Sequence, residues 1–367
     1  HCRTRREILK VAVLGAGNGG QALAGYLAMK GYDVALFNRS YRRIAPIIAT
    51  RKIRLEGEIV GTYRVSFATT NVEEAIRDRK VIMVVVPAFA HKDVARKIAP
   101  FLEDGQIVIL NPGRTGGAIE VLNVFKTMGI KKDVIVAETQ TFVFASRMSN
   151  PGVVRIFRIK NAVPVSALPA KRNEELREVL SDLMPEFEIA PNVIYTSFNN
   201  IGAVFHPAVL LLNAARIEST AGKFEFYLEG ITPSVARVLE KVDSERCEVM
   251  SIFGVEPLTA LEWLNYAYDV VGDNLYEAIH SNSGYQGIYA PPSIVNRYIL
   301  EDIPMSLVPI SSFGKEFGVG TPTIDAIIHV AGVMLGKDFW KTGRTIETLG
   351  LKGMSVEEIL KIVEEGM

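Results

Sequence analysis

Cysteine is almost missing from this chain. Its 367 residues carry two, Cys2 and Cys247. Two thiols cannot build the disulfide framework of a small secreted domain, and neither belongs to a CxxC pair of the kind that binds zinc. The expectation is a reducing, cytoplasmic setting and no metal site. An excess of one charge is missing too, since Lys plus Arg and Asp plus Glu both number 41. Nucleic-acid partners usually demand a basic surplus, so none is expected. No apolar run reaches the roughly 18 residues that a membrane span needs. The run from Val81 to Ala90 is far shorter and reads as a buried strand. The apolar stretch from Ile8 to Leu14 is cut off at once by glycines, so it does not read as a signal peptide. Internal repeats, low-complexity tracts and Gly/Ser linkers are lacking as well.

What is present is an ordinary globular composition, 48% hydrophobic and 22% charged, in a chain long enough for two domains. Residues 8–14 (ILKVAVL) form a β-branched run that reads as a central parallel strand. A helical pattern follows from Gly20 to Lys30 and stops at Gly31. A second strand runs from Tyr32 to Phe37. Strand, glycines, helix and strand make one βαβ unit. The alternation continues through strands at 81–86, 106–110, 134–138, 153–160 and 162–167, with two short runs around Gly57 and Gly61. Helical patterns lie between them. This predicts a doubly wound, parallel α/β sheet of the Rossmann kind. After about Tyr195 the texture changes, and helical patterns take over at 206–218, 232–253, 258–270, 307–317, 321–335 and 355–365. We therefore expect a dinucleotide-binding domain over residues 1–195 and a mostly α-helical domain over 196–367.

Residues Gly15, Ala16, Gly17, Asn18, Gly19 and Gly20 fit G-x-G-x-x-G, placed after a predicted strand and at the start of a predicted helix. Gly15 suits the tight turn, Gly17 a close approach of backbone to pyrophosphate, and Gly20 close packing of helix on strand. The helix N-terminus offers N–H groups and a partial positive charge to phosphate. An NAD enzyme usually ends its second strand in Asp or Glu for the ribose hydroxyls. Here the strand ends Phe37, Asn38, Arg39, Ser40, with Arg42 and Arg43 beyond. With no carboxylate present, Arg39 and Ser40 suit a 2′-phosphate, and NADP(H) is favoured over NAD(H). Two further segments fall at strand ends, where open α/β sheets bind ligands: 86–91 with Pro87 and His91, and 110–117 with Asn111. The second reads as a flexible loop near the nicotinamide. His91 reads as a helix-capping or surface histidine.

The chain resembles the opine dehydrogenases, the family of octopine and nopaline dehydrogenases. The likeness runs through GAGNGG (15–20), LNPGRTGGA (110–118), AETQT (137–141), the His206-Pro207 pair, FYLEGITPSVARVLEKVDSER (226–246), NRYILEDIP (296–304) and GVGTPTIDAII (318–328). The resemblance implies a Rossmann domain followed by a helical one. It implies NAD(P)H-dependent condensation of an amino acid with a 2-oxo acid, commonly pyruvate, to a secondary amine dicarboxylate. It also implies that His206 is the catalytic histidine, Asp302 its acidic partner, Arg297 a substrate-carboxylate arginine, and Glu138 with Thr139 a substrate-site pair. Taken alone, His206 reads as a histidine at a helix start, Asp302 as a helix N-cap and Arg297 as a surface residue. Glycerol-3-phosphate and 2-oxo-pantoate reductases share the two-domain plan but use a lysine in the helical domain. Residues 198–203 (FNNIGA) hold none. A dinucleotide-binding protein without turnover would not need His206, Asp302 and Arg297 together. The amino acid itself is not legible, and a homodimer is compatible with the sequence.

Overall fold

In the computed structural model, residues 8–366 are described; Cys2 lies outside them. Twelve strands occur among these residues. They are β1 (Lys10–Leu14), β2 (Asp33–Phe37), β3 (Lys52–Gly57), β4 (Gly61–Arg64), β5 (Phe67–Thr69), β6 (Val81–Val84), β7 (Ile107–Leu110), β8 (Ile135–Thr139), β9 (Phe144–Asn150), β10 (Val153–Ile159), β11 (Val163–Leu168) and β12 (Phe187–Ile189). Eight of them form one sheet in the order β12-β11-β8-β7-β6-β1-β2-β5. Its central strands β1, β6 and β7 pair in parallel and are buried almost throughout, which is why they read as unbroken apolar runs.

Two features depart from the expected all-parallel sheet. Strand β11 runs antiparallel to β8. A second sheet of four strands, β4-β3-β10-β9, also exists. Strand β9 (FASRMSN) is not legible in the sequence, because only its first residue is buried and, of the rest, Met148 alone is apolar and half-buried. It pairs with β10 as a hairpin and lies at a sheet edge, where an apolar signal is not required.

The chain divides into two compact units. One comprises residues up to Gly113, Gly117–Thr196 and the chain from Lys361. The other comprises Arg114–Gly116 and Ser197–Leu360. Neither the excursion of 114–116 into the helical unit nor the return at Lys361 is expected from the sequence. The first unit holds both sheets and the helix Asn18–Met29. In the second unit, the helix expected from His206 starts at Gly202 and ends at Leu212, with Pro207 inside it; a separate helix, Ala214–Thr220, follows. His206 is therefore an interior helical residue and not a helix start. The pyrrolidine ring removes one N–H donor there without ending the helix. No single helix among the described residues is long and apolar enough to cross a membrane, although one bent pair passes by length and composition.

Candidate active site

The glycine turn in the first unit is crowded at Gly15 and Gly20 and open at Gly17. Gly15 has φ +112°, and a Cβ on it would meet the Val85 carbonyl oxygen at 2.2 Å. A Cβ on Gly20 would meet the Gly15 carbonyl oxygen at 1.7 Å. Gly17 is open: a Cβ there would touch only the Arg43 guanidinium, at 3.8 Å. Gly17 caps the helix Asn18–Met29 with no side-chain hydrogen bond, so no side chain competes for the helix N-terminus. An open glycine, a bare helix N-terminus and a guanidinium beside them fit a dinucleotide pyrophosphate. Asn38 braces the turn, its Oδ1 accepting from the Ala16 N–H (3.1 Å) and its amide donating to the Ser40 carbonyl (3.0 Å). Arg39 and Ser40 are exposed beyond it. Asn18 is tied elsewhere, its Oδ1 accepting from the Met148 N–H at 2.9 Å. Gly19 lies against the Phe142 ring. Pro87 caps the short turn Ala88–Ala90.

Several expected site residues are occupied with holding backbone. Asn111 is buried, and its amide donates to the Ile109 carbonyl at 2.9 Å. Glu138 is wholly buried, and its Oε1 accepts from the Ala118 N–H at 2.9 Å, at the start of the helix Gly117–Thr127. The Thr139 hydroxyl donates to the Leu110 carbonyl. The pair expected to meet substrate is thus engaged with the chain around β7 and β8. His91 is not on the surface: it opens the helix His91–Ile98 with 1% exposure.

The titratable groups cluster in the helical unit. His206 Nδ1 lies 3.1 Å from Asp302 Oδ2, and its Nε2 lies 3.2 Å from the Tyr227 hydroxyl. The Tyr298 ring stacks on the imidazole, centroids 4.1 Å apart and 16° between planes. Asp302 is no helix cap. It has helical φ/ψ, makes no side-chain cap bond, and leads into a π-helical turn, Ile303–Leu307. Such turns re-aim side chains and are frequent at functional sites. Arg114 lies across the same carboxylates, 3.5 Å from Asp302 and 3.2 Å from Glu301. Arg297 pairs with Glu301 at 3.0 Å, yet its side chain is 60% exposed.

The electrostatics follow from this packing. Burial pushes the Asp302 carboxyl up, but Arg114, the His206 hydrogen bond and Arg297 outweigh it, and the net effect is below the usual carboxylate range. Burial disfavours the Arg114 charge, and Asp302 with Glu301 more than restores it. Burial pushes the Tyr227 phenol well above its ordinary value, and Tyr298 upward too.

Sequence reasoning misses Arg114, Glu301, Tyr227, Tyr298 and Arg43. It takes the loop holding Arg114 for a flexible one. In fact the Thr115 N–H donates to the Met305 carbonyl and the Gly116 N–H to the Ser197 hydroxyl, which pins the loop's end. A lone arginine in a glycine-rich loop was the available signal. No group of three or more metal-ligating side chains occurs among the described residues.

Comparison with known proteins agrees with both units. Residues 189–335 match the α-helical domain of NAD/NADP octopine/nopaline dehydrogenases. Residues 10–120 match the N-terminus of NAD-dependent glycerol-3-phosphate dehydrogenases. The chain is 40% identical to an opine dehydrogenase of Arthrobacter sp. (strain 1C), covering 96% of this chain and 98% of that one. It is 26% identical to the octopine dehydrogenase of Pecten maximus, covering 91% and 92%. The solved octopine dehydrogenase with NADH and agmatine superposes with a TM-score of 0.80 at 24% identity, covering 96% and 98%. A yersinopine dehydrogenase with NADP+ gives 0.74 at 16%, covering 98% of each. A ketopantoate reductase of the PanE/ApbA family gives 0.63 at 19% identity, which is likeness of fold alone.

Fold and site define a two-domain NAD(P)-dependent oxidoreductase acting on a CH–NH bond. Within that class the chain belongs to the opine dehydrogenase family, which condenses an amino acid with a 2-oxo acid reductively at the expense of NAD(P)H.

Proposed function

We propose that this opine dehydrogenase prefers NADPH. In this reading His206 moves protons at the reacting carbon, with Asp302 as its partner and Arg297 as anchor for a substrate carboxylate. The observation that carries the reading is the 3.1 Å contact from His206 Nδ1 to a carboxylate only 2% exposed. An ionised carboxylate accepts, so Nδ1 carries the proton and the tautomer is set, as in a catalytic triad. The amine must lose a proton to attack the 2-oxo acid, and the carbinolamine must gain one to shed water. Histidine is the side-chain class suited to both steps near neutral pH. Bound NAD(P)H supplies the hydride that reduces the C=N bond.

The charge count supports the anchor. Arg114 and Arg297 face two carboxylates, Glu301 and Asp302, and a proton taken up by His206 in the reaction makes a third cation. One positive charge is left for one substrate carboxylate. Arg114 is held by both acids, whereas Arg297 is the exposed guanidinium with N–H donors to spare, a geometry suited to bidentate binding. We propose pyruvate as the 2-oxo acid, the compound seen with NADH in one octopine dehydrogenase complex. Glu138 and Thr139 then serve to hold the loop after β7. The NADPH preference rests on Asn38 standing where an acid would bind ribose, beside exposed Arg39.

The test is His206→Asn, assayed with each amino acid crossed against pyruvate, glyoxylate and 2-oxoglutarate. Turnover should fall by about a hundredfold or more, the usual weight of a general acid–base group. NADPH titrated by fluorescence should bind as before. Near-normal turnover in this variant would remove His206 from the mechanism.

A further inference from the structure

Both nitrogens of the His206 ring are taken. Nδ1 is on Asp302, and Nε2 is 3.2 Å from the Tyr227 hydroxyl. One face of the ring is covered by Tyr298. The side chain keeps 22% of its surface exposed, yet each ring nitrogen already faces a protein oxygen. Either Tyr227 must swing away, or it must stand between His206 and the reacting atoms.

The packing decides against a swing. Tyr227 is 8% exposed. Its ring stacks on Tyr285 with centroids 4.2 Å apart and 16° between planes, and it meets Phe226 edge to face at 5.2 Å. Tyr285 in turn contacts Tyr268 at 5.3 Å. Moving the phenol would unstack a connected aromatic cluster, and aromatic pairs contribute beyond their burial alone. A phenol has one proton to give and lone pairs to accept another, which is what a relay requires.

We propose that Tyr227 is a catalytic residue, a proton relay through which His206 acts on the carbinolamine. The inference rests on the acid–base role of His206 given above. In the dehydration step the C–O bond breaks as the nitrogen lone pair forms the C=N bond. The departing hydroxide takes the phenol proton and leaves as water. The Nε2 proton of the imidazolium moves to the phenol oxygen, leaving a neutral imidazole still bonded to Asp302. Proton and charge balance, and no oxidant or metal is needed. Burial keeps the phenol protonated across the working range, so it stays a donor and does not become a phenolate.

The test is Tyr227→Phe, which removes one oxygen and keeps the stacking ring. We expect kcat to fall by on the order of a hundredfold, the lower end of general acid–base contributions. NADPH binding by fluorescence should be unchanged. In mixtures of H2O and D2O, the unmodified enzyme should give a bowed dependence of rate on deuterium fraction, since two protons move together; the variant should lose the bow. The pH profile is read alongside. The charged and titratable groups facing His206 and Tyr227 are Asp302, Glu301, Arg114, Arg297, Tyr298, Tyr285 and Tyr268, and the variant leaves all of them in place. Its imidazole limb should persist at lower amplitude. A Tyr227→Phe enzyme within twofold of normal, or faster, overturns the relay. Replacing Tyr227 by 3-fluorotyrosine keeps the ring and its hydroxyl and acidifies the phenol; the rate and solvent isotope effect should both change, and constancy of both overturns the relay as well. His206→Asn separates the two claims. If it retains turnover, the reading of His206 fails. If it loses turnover while Tyr227→Phe does not, only the relay fails.

Discussion

Two arginines flank the glycine turn, and the proposed NADPH preference gives each a different part of the cofactor to meet. Arg39 is exposed beyond Asn38, at the end of β2 where a 2′-phosphate would lie. Arg43 lies beside Gly17, where a pyrophosphate would approach the helix N-terminus. Arg39→Ala should therefore weaken NADPH binding about tenfold or more, because the 2′-phosphate no longer meets a guanidinium, while NADH binding stays almost unchanged. Arg43→Ala should weaken both cofactors by similar factors. Fluorescence titration of each variant with each cofactor reads this directly. Equal weakening of NADH and NADPH in Arg39→Ala would show that Arg39 does not read the 2′-phosphate, and a better NADH than NADPH in the unmodified protein would remove the preference altogether.

At the scale of elements, the run VDSER (242–246) explains itself as a clasp for helices. It lies in the helix Pro233–Ser251, and Asp243, Glu245 and Arg246 are all buried. Glu245 accepts from the Thr323 and Ile324 N–H groups (3.1 and 3.0 Å), capping the helix Pro322–Leu335 from outside. Asp243 accepts from the Ala260 N–H (2.9 Å) at the start of the helix Ala260–Tyr268. Arg246 binds Asp243 and donates to the Phe198 and Leu258 carbonyls. Anions at helix N-termini meet both the orphan N–H groups and the helix dipole. Glu245→Ala leaves one buried and one half-buried donor unpaired and should cost about 2–4 kcal/mol of stability. Urea denaturation should register this while kcat of the folded enzyme stays near normal. A variant of unchanged stability and lowered kcat would move Glu245 from the frame to the site.

Across the whole molecule, each unit contains a carboxylate held below its ordinary range. In the first unit one such group, beside the exposed Glu175, is Asp33, where burial works upward and Ser66 with Arg79 pull further down. In the second it is Asp302, where burial is outweighed chiefly by Arg114. A depressed folded-state pKa adds stability that is full above the unfolded value, about 3.9 for aspartate, and is lost as pH falls through the folded one. The denaturation midpoint should therefore drop steeply on acidification below about pH 4. Asp302→Asn should be less stable than the unmodified protein at pH 7, by about 3 kcal/mol as for a broken buried pair, and the difference should shrink as acid protonates Asp302 in the reference. A difference that grows towards acid would mean the carboxylate is not ionised in the folded state.

The amino-acid sequence by itself determined whatever depends on neighbours along the chain. A buried strand, a glycine turn and a helix are local patterns, so β1, the Gly15–Gly20 turn and the helix Asn18–Met29 were readable from residue spacing. The family motifs located His206, Asp302 and Arg297 one by one. Strand β9 escaped because a polar edge strand has no apolar period to read. Only tertiary structure decided which titratable groups meet. Arg114 and Glu301 are 187 positions apart, and His206 and Asp302 are 96 apart. Such distances are closed by packing between helices and not by any local preference. Tyr227 lay only 21 positions from His206 and was still not legible. A tyrosine among aromatics reads as core, and its bond to Nε2 exists only once the two chain segments fold against each other. The charge state of Asp302 belongs to the same level, because it is set by burial against Arg114 from a distant loop and His206 from another helix.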